Sequence, residues 1–142
     1  MHSHMRYSLE NIETVVDKLF KLLPQCKVMT FTGPLGAGKT TLVKLLLKRC
    51  GVQEVVVSPT FTYVGVYHNE LNQTFYHFDL YRLNNVNEFR ELGFDEYLYD
   101  LDSWAFIEWP EIIKSLLTHQ VCEVVIDYYS EFERTLTYTI RS

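Results

Sequence analysis

Cysteine is scarce in this chain: Cys26, Cys50 and Cys122 are an odd and widely spaced set among 142 residues. They make neither a disulfide framework nor a paired metal-ligand motif, and they read as buried thiols. Long apolar runs are also lacking. None approaches the ~18 consecutive residues of a membrane-spanning helix, and the N-terminus lacks the charged-then-apolar order of a secretion signal, so the chain reads as cytoplasmic, with no membrane association. A basic excess is missing as well. Thirteen Lys and Arg stand against eighteen Asp and Glu, a formal charge of −5. That excludes the electrostatic footprint of autonomous DNA or RNA binding, so any RNA contact has to run through a partner. No repeat, low-complexity tract or linker divides residues 1–142, which read as one domain. The opening Met1-His2-Ser3-His4-Met5 reads as an expression leader, and His2 and His4 carry no functional weight.

What is present suffices for a core. Apolar residues make up 47% of the chain, and a domain of this size buries about 68–70% of its unfolded surface. From Ser8 to Pro24 the apolar positions Leu9, Ile12, Val15, Val16, Leu19, Phe20 and Leu23 recur at three- and four-residue spacing. This predicts an amphipathic helix with Ser8 as N-cap and Pro24 as terminator. A short β-type run, 27–32, meets a glycine-rich turn, and a helix follows from Lys39 to Cys50 with Gly51 as its C′ residue. Strands are expected at 54–57, 61–68 and 74–79, the last two as an antiparallel hairpin across the polar segment 69–73. Helical pieces are expected on either side of Gly93, a buried strand at 104–107, a helix opened by Pro110 and running to about Thr118, and a terminal hairpin from 121–126 and 134–140. Charge is unevenly placed. Residues 26–53 hold no acid, whereas 84–111 hold eight acids and only Arg90. This is either a solvated face with dipole complementarity or a partner-docking surface.

Gly33-Pro34-Leu35-Gly36-Ala37-Gly38-Lys39-Thr40 matches G-x-x-x-x-G-K-[ST] at every fixed position. For this composition a chance match has a probability of roughly 0.2%. The glycines let the backbone approach a phosphate with its N–H groups turned inward, and the following helix adds the positive end of its dipole. Lys39 is placed to meet the β- and γ-phosphates, and Thr40 to offer its hydroxyl to Mg²⁺. Such a loop needs an acid at the tip of a neighbouring strand. Two apolar runs end in one: Phe75-Tyr76-His77-Phe78-Asp79 and Trp104-Ala105-Phe106-Ile107-Glu108. Glu108 is favoured because its run is less interrupted, as in a strand buried on both faces; a helix N-cap is the competing role for it. Ser58-Pro59-Thr60 is either a loop that senses the γ-phosphate, with Thr60 as a second hydroxyl, or a simple ST-turn. His77 is either a member of a polar network or a direct participant. The guanine-specifying Asn-Lys-x-Asp is absent, which leaves ATP.

These residues resemble the bacterial TsaE family, the P-loop ATPase of tRNA threonylcarbamoyladenosine (t6A) biosynthesis. The similarity spans about Ser8 to Arg134. It rests on the loop with Thr41, on Ser58-Pro59-Thr60-Phe61-Thr62, on His77-Phe78-Asp79-Leu80-Tyr81-Arg82-Leu83 and on Ile107-Glu108-Trp109-Pro110, in that order. The resemblance implies an α/β, P-loop NTPase-like sandwich whose central sheet mixes parallel and antiparallel strands between flanking helices. It implies ATP or ADP with Mg²⁺ as cofactors and a weak, partner-stimulated ATPase. It also implies work with TsaB and TsaD on adenosine 37 of tRNAs that read ANN codons, the tRNA being reached through that complex. By position, Gly33, Gly36, Ala37, Gly38, Lys39, Thr40 and Thr41 hold phosphate, and Thr40 and Glu108 hold the metal. Lys39, Glu108 and Asp79 form the catalytic set, Thr60 belongs to the first switch, Trp109 borders the site, and Leu9 and Arg134 lie near the nucleotide. A P-loop small-molecule kinase and a nucleotide-switched binding module with negligible hydrolysis are the alternative readings.

Overall fold

The computed structural model describes residues 2–59 and 61–142. Strands β1 (His2–Ser8), β2 (Val28–Thr32), β3 (Val64–His68), β4 (Thr74–Asp79), β5 (Ser103–Glu108), β6 (Val121–Tyr128) and β7 (Glu133–Arg141) form one sheet in the order β1-β7-β6-β2-β5-β4-β3. The four inner strands, β6, β2, β5 and β4, run parallel; β3 at one edge and β7 then β1 at the other are antiparallel. The parallel strands are apolar nearly throughout because both their faces are covered. Phe31, Phe106 and Phe75 look to one side with Leu19, Leu42 and Leu46 of helices α1 (Ile12–Leu22) and α2 (Lys39–Arg49). Val28, Phe78 and Ile107 look to the other, against Phe89 of α3 (Val86–Glu91) and Ile113 of a 3₁₀ turn. Burial of each such side chain contributes about 1.5–3 kcal/mol, and the sheet is thereby sandwiched between two apolar layers.

Several expected boundaries move. Ser8 is the last residue of β1, not a helix cap; Asn11 occupies the N-cap position, and its side chain accepts from the Ser8 N–H at 2.7 Å. Residues 2–5, set aside as a leader, are paired with 136–139 of β7. An edge strand contacts one neighbour only, so its local pattern is weak and its partner lies more than a hundred residues away. Residues 54–57 join no ladder. They cover the outer edge of β3 by other means: the Glu54 carboxylate accepts from the His68 N–H at 3.3 Å, and the Val57 N–H donates to the Tyr67 hydroxyl. After Gly93 the expected helical piece shortens to a 3₁₀ turn, Phe94–Tyr97. The helix expected from Pro110 is a 3₁₀ turn, Glu111–Leu116, with Pro110 at its N-cap. All three cysteines are buried, and the thiols of Cys26 and Cys122 lie within hydrogen-bond reach of one another, which their separation in sequence concealed. Among the described residues no helix is long and apolar enough to cross a membrane.

Candidate functional site

All four inner strands point their C-terminal ends the same way, so the segments after β2, β4, β5 and β6 converge at one edge of the sandwich, the place where open α/β sheets bind ligands. The loop after β2 carries Gly33 to Gly38, of which Gly36 and Gly38 have φ of 79° and 100°. Those values are closed to most side chains, which is why this turn is glycine. Gly33 is required for another reason: a Cβ there would lie 2.3 Å from the Ile126 carbonyl oxygen of β6. The helix that follows, α2, has no acid in its first turn and no side-chain cap. Its N-terminal amides are left to an anion.

Lys39 is the first residue of α2 and only 5% exposed. Its ammonium donates back to the carbonyls of Gly33 and Pro34 and sits 3.8 Å from the centroid of the Trp109 ring. Burial lowers the Lys39 pKa, opposed by the carboxylates of Glu108, Glu111 and Asp79. Trp109 holds φ of 58° directly before Pro110, a backbone state that costs about 1–3 kcal/mol for such a residue. That turn brings its ring over the lysine and within 4.9 Å of the Tyr81 ring.

The Thr40 hydroxyl donates to Glu108, 2.8 Å from Oε1 and 3.0 Å from Oε2. Glu108, 2% exposed, also accepts from Nε2 of the fully buried His77 at 2.6 Å. Asp79 ends β4 in register with Glu108 at the end of β5, and its Oδ1 accepts from the Tyr81 N–H at 3.2 Å. Burial raises the Asp79 pKa; the Tyr81 N–H opposes this, and the neighbouring Glu108 adds to it. Of the two candidate acids, Glu108 is therefore the one bonded to the Thr40 hydroxyl, with Asp79 beside it. Tyr81, two residues past the end of the strand, is 56% exposed.

On the other side of the loop lies a cleft of about 710 Å³. Gly36, Ala37, Gly38 and Thr41 line it together with Tyr7, Leu9, Ile12, Phe132 and Arg134, of which Tyr7 and Arg134 are paired neighbours on β1 and β7. The Arg134 guanidinium stands 4.7 Å from the Tyr128 ring, whose hydroxyl donates to the Leu35 carbonyl at 2.7 Å. Leu9 and Arg134 thus meet at the loop although 125 positions separate them. Tyr7 and Phe132 carry no motif in the sequence, since they belong to β1 and to the turn between β6 and β7, whereas Ile12 belongs to the apolar face of α1. Thr60 lies outside the described residues.

Residues 7–136 match the family described as threonylcarbamoyl adenosine biosynthesis protein TsaE. The chain belongs to the TsaE family. Proteins described as tRNA threonylcarbamoyladenosine biosynthesis protein TsaE are similar to it from Rickettsia felis, 41% identical over 87% of this chain and 74% of the relative. The counterpart from Treponema pallidum is 37% identical over 82% and 84%, and that from Bacillus subtilis 36% identical over 79% and 68%. The crystal structure of Bacillus subtilis YdiB superposes with a TM-score of 0.72 at 28% identity, covering all of this chain and 88% of that one. The α/β, P-loop NTPase-like fold with a mixed sheet is shared with it, and membership of the TsaE family places the chain in t6A biosynthesis.

The residues fit the cofactors that this TsaE-family loop implies. Uncapped amides at the start of α2 and a buried ammonium suit a polyphosphate. A hydroxyl and a carboxylate in contact are hard oxygen donors of the type Mg²⁺ prefers. Among the described residues there is no cluster of three or more His, Cys, Asp or Glu able to hold a metal alone.

Proposed function

We propose that this protein binds ATP with Mg²⁺ and hydrolyses it slowly, as the ATP-consuming accessory of TsaB and TsaD in forming t6A at position 37 of tRNAs that read ANN codons. The observation that carries the reading is the bond between the Thr40 hydroxyl and the Glu108 carboxylate at the mouth of the glycine loop. A hydroxyl whose proton is taken up by a carboxylate keeps its oxygen lone pairs for a cation, and that is the chemistry a nucleotide-bound Mg²⁺ needs.

In this reading Lys39 exchanges the Gly33 and Pro34 carbonyls for phosphate oxygens, while the amides of Gly36 to Thr41 receive the remaining negative charge. Thr40 and Glu108 would hold the metal, which would supply charge neutralisation to the bound phosphates. Asp79 lies where it can order water at the same edge. The cleft between Leu9 and Arg134 takes the nucleoside, since it opens directly from the loop. Trp109 shields Lys39 from solvent, and Thr60 belongs to the segment that answers the γ-phosphate. Phosphoryl transfer is mostly positioning and charge stabilisation. Turnover in this reading is slow until a partner supplies or orders the remaining groups.

Reconstitution with TsaB, TsaD, threonylcarbamoyl-adenylate and tRNA tests the reading. Lys39→Ala is expected to abolish multiple-turnover modification. Parent-like turnover by that variant overturns the ATPase role, and equal affinity for TsaD in ADP and in a non-hydrolysable ATP analogue counts against a nucleotide switch.

A further inference from the structure

His77 is a buried polar side chain that the reading above leaves without a task. Its ring is fully buried on β4, next to the edge strand β3, on the face shared with Phe75 and Phe106. One nitrogen, Nε2, is 2.6 Å from Glu108 Oε2; the other, Nδ1, has no partner among the described residues. A position selected for packing alone has no reason to keep a nitrogen that finds no bond, because an apolar ring of like shape would avoid that loss. The polarity of the ring serves the single bond to Glu108. That bond also selects the tautomer, since a carboxylate only accepts and Nε2 must therefore carry the hydrogen.

Glu108 is held from two sides. His77 donates to Oε2, and Thr40 donates across Oε1 and Oε2. The hydroxyl can be released from one acceptor to another by rotation, but the imidazole sits on a strand in a packed layer and cannot move. We propose that His77 is a positioning residue: its Nε2–H fixes the Glu108 carboxylate so that this carboxylate captures the Thr40 hydroxyl proton and leaves the Thr40 oxygen free for Mg²⁺. The inference rests on the nucleotide-binding reading and deepens it. His77 touches neither nucleotide nor metal; it acts through Glu108, as second-layer donors to metal-ligating carboxylates do.

Two measurements test it. The first uses the free protein. Long-range ¹H–¹⁵N correlation of the side-chain imidazoles is expected to show His77 as the Nε2–H tautomer, and Glu108→Gln is expected to shift that signal. An Nδ1–H tautomer, or a signal blind to Glu108→Gln, overturns the proposal without reference to any ligand. The second is calorimetric titration of ADP at stepped MgCl₂ concentrations. His77→Leu is expected to raise the Mg²⁺ concentration for half-maximal tightening about tenfold or more, with ADP affinity in EDTA unchanged. His77→Gln, whose amide reaches the Nε2 position, is expected to recover most of the loss, and His77→Asn, which reaches only the Nδ1 position, is not. Equal losses with and without Mg²⁺, or Gln no better than Leu, mean a purely structural role and overturn the proposal. If the parent binds no ADP at any Mg²⁺ concentration, the nucleotide reading fails and takes this inference with it. A parent that binds while His77→Leu is unchanged removes the inference alone.

Discussion

Asp79 and Glu108 lie side by side as the last residues of β4 and β5, in direct parallel register, yet only Glu108 takes the hydrogen bond of the Thr40 hydroxyl. Two acids that each end an apolar run, of which the sequence favours Glu108, therefore have different surroundings. Glu108 is bonded by Thr40 and His77, whereas Asp79 accepts from the Tyr81 N–H and has a raised pKa.

That difference makes stability pH-dependent at Asp79. Its folded pKa lies above the unfolded value, chiefly through burial. The stability linked to it is fully present below the ordinary carboxylate range and is lost as pH rises through the raised value. Asp79→Asn keeps the acceptor for the Tyr81 N–H and removes the ionisation. Thermal unfolding is expected to show a higher Tm for the variant at neutral pH, with the gap narrowing as pH falls toward 3.8, the ordinary value. Each 1 kcal/mol is worth about 2–4 °C in a chain of this size. ATP turnover is expected to fall in the same variant. A Tm gap that widens on acidification contradicts the assignment.

Lys39→Ala removes the only buried lysine beside the loop among the described residues, and with it the bonds to Gly33 and Pro34. A loss of about 10²- to 10³-fold in ATP turnover is expected, the scale of removing one preorganised charge-stabilising donor. The folded state should survive, because the lost contacts are with the loop itself. Turnover within threefold of the parent means that Lys39 does not meet phosphate.

Gly33→Ala and Gly38→Ala separate space from conformation. At Gly33 the new Cβ meets the Ile126 carbonyl, so the loop must shift off β6, at a cost of about 1–3 kcal/mol. At Gly38 the surroundings are open but φ is 100°. Both are expected to lower Tm, measured by calorimetry. Only the Gly33 variant is expected also to weaken protection of the Ile126 region in hydrogen exchange; protection there equal to the parent's would refute the contact.

Arg134→Ala tests the cleft. The guanidinium lies against Tyr128 and lines the cleft together with Leu9. Its removal is expected to weaken ADP binding several-fold, about 1 kcal/mol by analogy with a partly exposed cation–aromatic contact, and to raise KM for ATP with kcat near the parent value. A fall in kcat with KM unchanged would move Arg134 from nucleoside binding to the chemistry.

The linear sequence by itself settled the glycine loop, the strand before it and the helix after it, because these are contiguous and each glycine, lysine and threonine answers to a local physical need. The alternation in 61–79 and 121–140 likewise made both hairpins legible, and the apolar spacing in 12–22 named the buried face of α1. What it left open required neighbours distant along the chain. Whether 2–5 forms a strand was decided by β7, 131 or more residues later. Whether 54–57 forms one was decided by β3, whose edge it covers with the Glu54 carboxylate and a backbone bond to Tyr67 instead of a ladder. The sequence favoured Glu108 over Asp79, but the bond from the Thr40 hydroxyl on α2 to Glu108 spans 68 positions, and that from His77 to Glu108 spans 31. Motif and period are properties of neighbouring residues, but a site is a property of strand order, and only the packed sheet brings these four strand ends together.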